Sequence, residues 1–152
     1  MTYEDLLMES DDNNLITKEK DLPVSKGRIK GNRIAINKSL SETEKKCVLA
    51  EELGHYHTAN GNILDQSLVS NRKLEMRGRI YAYNKLVGIM GIVKAFENGC
   101  RTLYEMAEYL EVTEEFLSDA LQYYKRKYGT GAKIDNYAVI FEPSISIMEI
   151  YC

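Results

Sequence analysis

Leu6 and Leu7 sit among acids between Tyr3 and Glu9, the pattern of a short helix with one apolar face. Asp11-Asp12-Asn13-Asn14 breaks it. Apolar and polar residues then alternate through Arg28-Ile29-Lys30 and through Arg33-Ile34-Ala35-Ile36-Asn37, on either side of Gly31-Asn32. That is a β-hairpin signal with a two-residue type I′ or II′ turn. Ser41-Glu42-Thr43-Glu44 is a capping box, in which Ser41 caps and Glu44 reaches back. The helix it opens carries Cys47, Val48, Leu49 and Leu53 and runs to about Thr58, with Asn60-Gly61 as its stop. A second long helix spans roughly Ser70 to Val87, its end blurred by Gly88, Gly91 and Gly99. Thr102-Leu103-Tyr104-Glu105 opens a helix to about Leu110, and Thr113 caps one that runs to about Tyr128 before Gly129-Thr130-Gly131. From Tyr137 to Tyr151 the chain is rich in Ile, Val, Phe and Tyr around Pro143, which reads as two short strands or an extended pair. The order predicts an α+β fold, mostly helical, with a small antiparallel sheet.

Length and charge narrow the picture. The chain has 152 residues, the size of one domain or of one domain with a small appendage. Its net charge of −3 argues against a globally basic nucleic-acid binder. Charge is blocky, however. Residues 1–24 hold seven acids and two lysines, net −5; residues 25–38 hold five basic residues and no acid. Residues 96–122 hold seven acids and Arg101, net −6, before the cluster Lys125-Arg126-Lys127. No apolar run reaches the roughly 18 residues of a membrane span. The acidic start, Met1-Thr2-Tyr3-Glu4-Asp5, lacks a signal-peptide pattern, so the expected compartment is the cytoplasm. Cys47, Cys100 and Cys152 are an odd, widely spaced set without CxxC, which suits reduced thiols, two of them buried in helices, better than disulfides or a thiolate metal site.

The chemistry lies in Ala50-Glu51-Glu52-Leu53-Gly54-His55-Tyr56-His57. Glu51 and His55 are four apart on the predicted helix, so two potential metal ligands share a face. Glu52, rotated by about 100°, can approach a metal without being tied to it. This is the layout of the His-Glu-x-x-His zinc helix, with Glu51 in the place of the first His. In that layout the glutamate after the first ligand is the general base for the attacking water, while the metal polarises the scissile carbonyl. Taken alone, Glu-Glu-x-x-His also suits a solvated helix face. A third ligand is available in Glu75 on the next helix, if the two helices pack antiparallel, and Arg79, one turn on, could hydrogen-bond that carboxylate. His57 projects from nearly the opposite face and reads as a surface or capping residue, with a ligand role as the alternative; Asp65 in the following loop could also reach a metal. Tyr81 and Tyr83 are core or rim residues, or donors to an oxyanion.

Lys46-Cys47-Val48-Leu49-Ala50-Glu51-Glu52-Leu53-Gly54-His55-Tyr56 resembles the active-site helix of the ImmA/IrrE family of metallo-endopeptidases. Leu74 to Ala82 resembles that family's third-ligand helix, Arg33 to Asn37 its strand leading into the zinc helix, and Thr102 to Thr113 its helix-turn-helix-like segment. The resemblance implies a zincin-like fold and divides the chain into a metallopeptidase core, residues 1–95, and residues 96–152, the helix-turn-helix-like segment with C-terminal strands, packed with the core as one unit. It implies one zinc ion held by His55 and Glu75, with Glu51 in the place of the first ligand and Glu52 as the base. A Glu-His-Glu set weakens the ion as a Lewis acid and tolerates manganese or another divalent ion. The implied substrate is a protein, such as the helix-turn-helix repressor of a prophage or mobile element.

Two alternatives stand beside this one. The replacement at Glu51 suits a catalytically inactive binding module on the same scaffold. The helix-turn-helix-like stretch suits a DNA-binding regulator, but its second helix opens Thr113-Glu114-Glu115-Phe116 and carries Asp119, acids that would repel phosphates. The charges therefore argue against nucleic acid as a partner, and no membrane partner is expected. The basic hairpin of residues 26–38 reads equally as a sheet edge that pairs with an extended substrate strand or as charges that blunt an exposed edge.

Overall fold

The computed structural model describes residues 1–59, 68–141 and 145–150, with side chains of 68–71 outside that description. Asn60-Gly61, Asp65, Pro143 and Cys152 therefore lie outside the described residues. Contacts divide the chain into two units, Met1–Lys85 and Leu86–Cys152.

The first unit begins with α1 (Tyr3–Asp12), a complete capping box at its start. Thr2 Oγ1 accepts from the Asp5 N–H at 3.1 Å, and Asp5 Oδ2 accepts from the Thr2 N–H at 2.7 Å. Then come β1 (Ile16–Lys20), β2 (Gly27–Lys30) and β3 (Arg33–Asn37), in sheet order β1-β3-β2. The expected hairpin is present: β2 and β3 pair antiparallel, Lys30 opposite Arg33. Positive φ at Gly31 (60°) and not at Asn32 is the pattern of a type II′ turn. β1, which the local pattern does not announce, pairs parallel with β3, so this sheet is mixed rather than antiparallel. Its single strongly apolar residue is Ile16, because an edge strand with an open face has little to bury. The connection from β1 to β2 crosses β3 and is pinned by Asn37 Nδ2, which donates to the Leu22 carbonyl at 3.0 Å.

α2 (Glu42–Thr58) and α3 (Leu68–Leu86) complete the unit. Ser41 caps α2 as expected, accepting from the Glu44 N–H at 3.2 Å. Ile34 and Ile36 of β3 are buried with Leu6 of α1 and Leu49 and Leu53 of α2, so the core lies between the inner sheet face and the helices. α2 and α3 meet at two glycines. A Cβ on Gly54 would overlap the Gly78 carbonyl, and one on Gly78 would overlap the His55 ring. The two backbones thus approach as only glycine permits.

Three side chains gather on Glu9 of α1. Lys85 Nζ pairs with its Oε2 at 2.5 Å, Tyr81 Oη donates to its Oε1 at 3.2 Å, and His57 Nε2 lies 3.3 Å from Oε1 without hydrogen-bond geometry. The His57 ring stacks on Tyr81 with centroids 5.1 Å apart. His57 is therefore a packing residue that helps join three helices, not a surface or capping one.

The second unit comprises α4 (Gly88–Glu97), α5 (Leu103–Leu110), α6 (Glu114–Tyr128), β4 (Gly131–Ile134), β5 (Tyr137–Ile140) and β6 (Ser146–Glu149). The strands form an antiparallel sheet, β4-β5-β6. β4 and α4 were not visible in the pattern, although α3 ends close to the expected Val87. Val87 leaves the helical region (φ −117°, ψ −80°) and Gly88 takes φ 67°, so the long helix stops and a new one starts. Thr102 and Thr113 cap α5 and α6 as expected. Ile92, Val93, Leu117, Ala120 and Val139 form the core around Tyr124, whose hydroxyl accepts from the Gly88 N–H at 3.1 Å. Cys47 and Cys100 are buried; Cys47 is in α2, but Cys100 lies in the loop before α5 rather than in a helix. Among the described residues no helix is long and apolar enough to cross a membrane.

Gly54→Ala should cost about 1–3 kcal/mol, the usual range for forcing a methyl into filled space. Gly91→Ala, where the nearest outside atom is a Leu110 methyl carbon at 3.4 Å, should gain up to about 1 kcal/mol of helix propensity. Urea unfolding measures both. A Gly54→Ala midpoint equal to wild type would contradict the crossing.

Candidate metal centre

His55 follows Gly54 directly and Glu75 precedes Gly78 by less than one turn, so the glycine crossing sets the site. Across it His55 Nε2 lies 3.1 Å from Glu75 Oε2. The other face of the His55 ring is closed by Gly78, which lies against Nδ1. Arg79, one turn beyond Glu75 on α3, brings Nε to 3.5 Å from Glu75 Oε1. Glu75 thus stands between an imidazole and a guanidinium.

Glu52, one helical turn before His55, is buried. Its carboxyl is pushed up from its ordinary 4.5 to about 7, first by burial, then by the carboxylates of Glu75 and Glu51. Burial disfavours the charged form, and like charges nearby disfavour it further. Glu52, His55 and Glu75 line one cleft of about 520 Å³ together with Arg28 and Ile29 of β2 and Tyr56. That volume is within the roughly 300–1,000 Å³ of small-molecule sites. Glu51 is half-buried on α2 and is not among the residues that line the cleft. Tyr81 and Tyr83 do not line it either: Tyr81 is bound to Glu9 and Tyr83 is buried. Arg28 and Tyr56 were not anticipated. Tyr56, four residues after Glu52 on α2, shares its side of the helix, whereas the place of Arg28 depends on β2 lying beside the end of α2, which no local spacing encodes.

The donor chemistry suits a divalent cation. Two ligands on bonds of about 2.0–2.1 Å in a tetrahedral site stand roughly 3.3 Å apart, close to the His55–Glu75 separation of 3.1 Å. A cation would also relieve the repulsion that raises Glu52. Among the described residues no group of three or more His, Cys, Asp or Glu is arranged to hold a metal ion, so two facing donors and one buried carboxyl are what the fold presents.

A family profile described as the IrrE N-terminal-like domain, a peptidase family, matches residues 8–122, about three quarters of the chain. It covers α1 to the middle of α6 and so includes every residue of the cleft. A search of curated proteins returned no match.

Glu52 makes metal-free stability depend on pH. Its folded value near 7 lies above its ordinary 4.5, so between these the folded chain holds a proton that the unfolded chain has released. Stability from this group is full below pH 4.5 and is lost as pH rises through about 7. In chelator-treated protein the loss should approach roughly 3 kcal/mol by pH 8, and Glu52→Gln should remove it. Parallel stability curves for the two proteins between about pH 5 and 8 would contradict this placement of Glu52.

Proposed function

The chain belongs to the IrrE N-terminal-like family of peptidases, and from that premise we propose that it is a metal-dependent endopeptidase with Glu52 as its general base. The observation that carries this is the meeting of His55 and Glu75 at 3.1 Å across α2 and α3, with the Glu52 carboxyl buried in the same cleft. His55 and Glu75 would hold the ion, with Glu51, one turn before His55, as the further ligand. Zinc is the proposed ion, and manganese or another divalent ion the alternative for so carboxylate-rich a set. When bound, the ion supplies Lewis-acid polarisation of the scissile carbonyl and makes water more acidic.

The protein's own groups do the rest. The Glu52 carboxylate takes the proton of the attacking water and delivers it to the leaving amine nitrogen. Arg79 fixes the orientation of Glu75. β2, an edge of its sheet, lines the cleft through Arg28 and Ile29 and offers backbone groups to an extended chain. The proposed substrate is a protein partner, such as a helix-turn-helix repressor of a prophage or mobile element. The proposed compartment is the cytoplasm, where thiols such as Cys47 and Cys100 stay reduced.

A second reading is a binding module that holds its partner without cutting it. It is favoured by Glu51 lying outside the lining of the cleft. Metal content by mass spectrometry separates the two. The peptidase reading expects about one ion per chain, kept in Glu52→Gln and lost in Glu75→Ala. Glu52→Gln should then slow cleavage of a partner at least about a hundredfold. Cleavage at the wild-type rate would refute Glu52 as the base. No metal uptake even from excess would leave the binding module.

A further inference from the structure

The sheet of the first unit has two unlike faces. Ile34 and Ile36 turn inward to the helices. By register, Lys18 and Lys20 of β1, Arg33 of β3, and Arg28 and Lys30 of β2 share the outer face. All five are exposed, and together they line one shallow concavity that no acidic side chain lines. Lys38, Lys45, Arg79 and Lys85, by contrast, each pair with a carboxylate away from this concavity. Three of the hairpin's charges, Arg28, Lys30 and Arg33, thus lie on this face, and β1 supplies the other two of the five.

We propose that this face docks an extended, acidic segment of a partner protein. Five like charges within about 10 by 13 Å repel one another. That cost is offset when carboxylates lie among them. Along β1 and β2 the cations recur at every second residue, about 6.6–6.8 Å apart, which is also the repeat of alternate side chains in an extended peptide. Arg28 lines both this face and the cleft of Glu52 and His55, so a chain leaving the cleft along β2 runs onto it. Nucleic acid fits less well. The face has no aromatic side chain on which single-stranded bases could stack. The chain as a whole is net −3, which opposes long-range attraction of a duplex. The proposal rests on the peptidase reading only in calling that partner a substrate.

The test is fluorescence anisotropy with the full chain, labelled poly-L-glutamate and a labelled DNA duplex, at low and high salt. Polyglutamate should bind wild type at low salt, more tightly than the duplex. Lys18→Glu/Lys20→Glu/Arg33→Glu should weaken it at least about tenfold, and raising salt from about 0.05 to 0.5 M should do the same. Lys18→Gln/Lys20→Gln/Arg33→Gln should fall between, and it carries the test if the reversed variant does not fold. Glu52→Gln should bind like wild type, because the assay reads docking and not cleavage; a chain that cuts nothing still passes or fails it. Absence of polyglutamate binding at low salt, or unchanged binding in a folded face variant, overturns the proposal. So does tighter binding of the duplex, which would assign the face to nucleic acid.

Discussion

Gly54 and Gly78 let α2 and α3 touch backbone to backbone, and the geometry of the cleft follows from that contact. His55 is the next residue after one glycine, and Glu75 lies three before the other. Their facing atoms can be 3.1 Å apart only because no side chain separates the helices. Gly78 also abuts Nδ1 of His55, so the ring presents Nε2 to the cleft. The rest of the unit supports this crossing. The sheet's inner face gives α2 a floor, and Glu9 ties α1 to the far end of α3 through Lys85 and Tyr81.

The unit also separates its charges. Carboxylates collect at the cleft, where Glu52 is held near neutrality by burial and by Glu75 and Glu51. Cations collect on the outer sheet face. Alternation in β1, β2 and β3 is what makes this possible: one set of positions builds the core and the other is free to carry a single sign of charge. Arg28 sits where the two regions meet.

Much of this was legible in the chain itself. Capping residues announced α2, α5 and α6, because Ser41, Thr102 and Thr113 act on backbone groups three positions away. Gly31-Asn32 announced the hairpin for the same local reason. β1 was not legible: its parallel partner is reached only after β2 has formed, and its exposed face removes the apolar signal. The end of α3 was read close to its place, but α4 was not legible, because Gly88 and Gly91 read as the close of one helix rather than as part of another. At the site, spacing brought out Glu52, His55 and Glu75. It could not say which of Glu51 and Glu52 turns into the cleft, since positions three and four residues before His55 both lie on its side of the helix. That choice is made by where β2 and α3 lie, and the entry of Arg28 is made the same way.

The Glu9 cluster has a consequence for the order in which the molecule can be made. Glu9 and Tyr81 are 72 positions apart. At about 5–20 residues per second, a ribosome needs roughly 4–14 s to pass from one to the other. For that interval α1 can form as a helix, but Glu9 has neither Lys85 nor Tyr81 to hold. The first unit therefore closes late, after its last helix has emerged, and the nascent chain carries α1 without those partners until then.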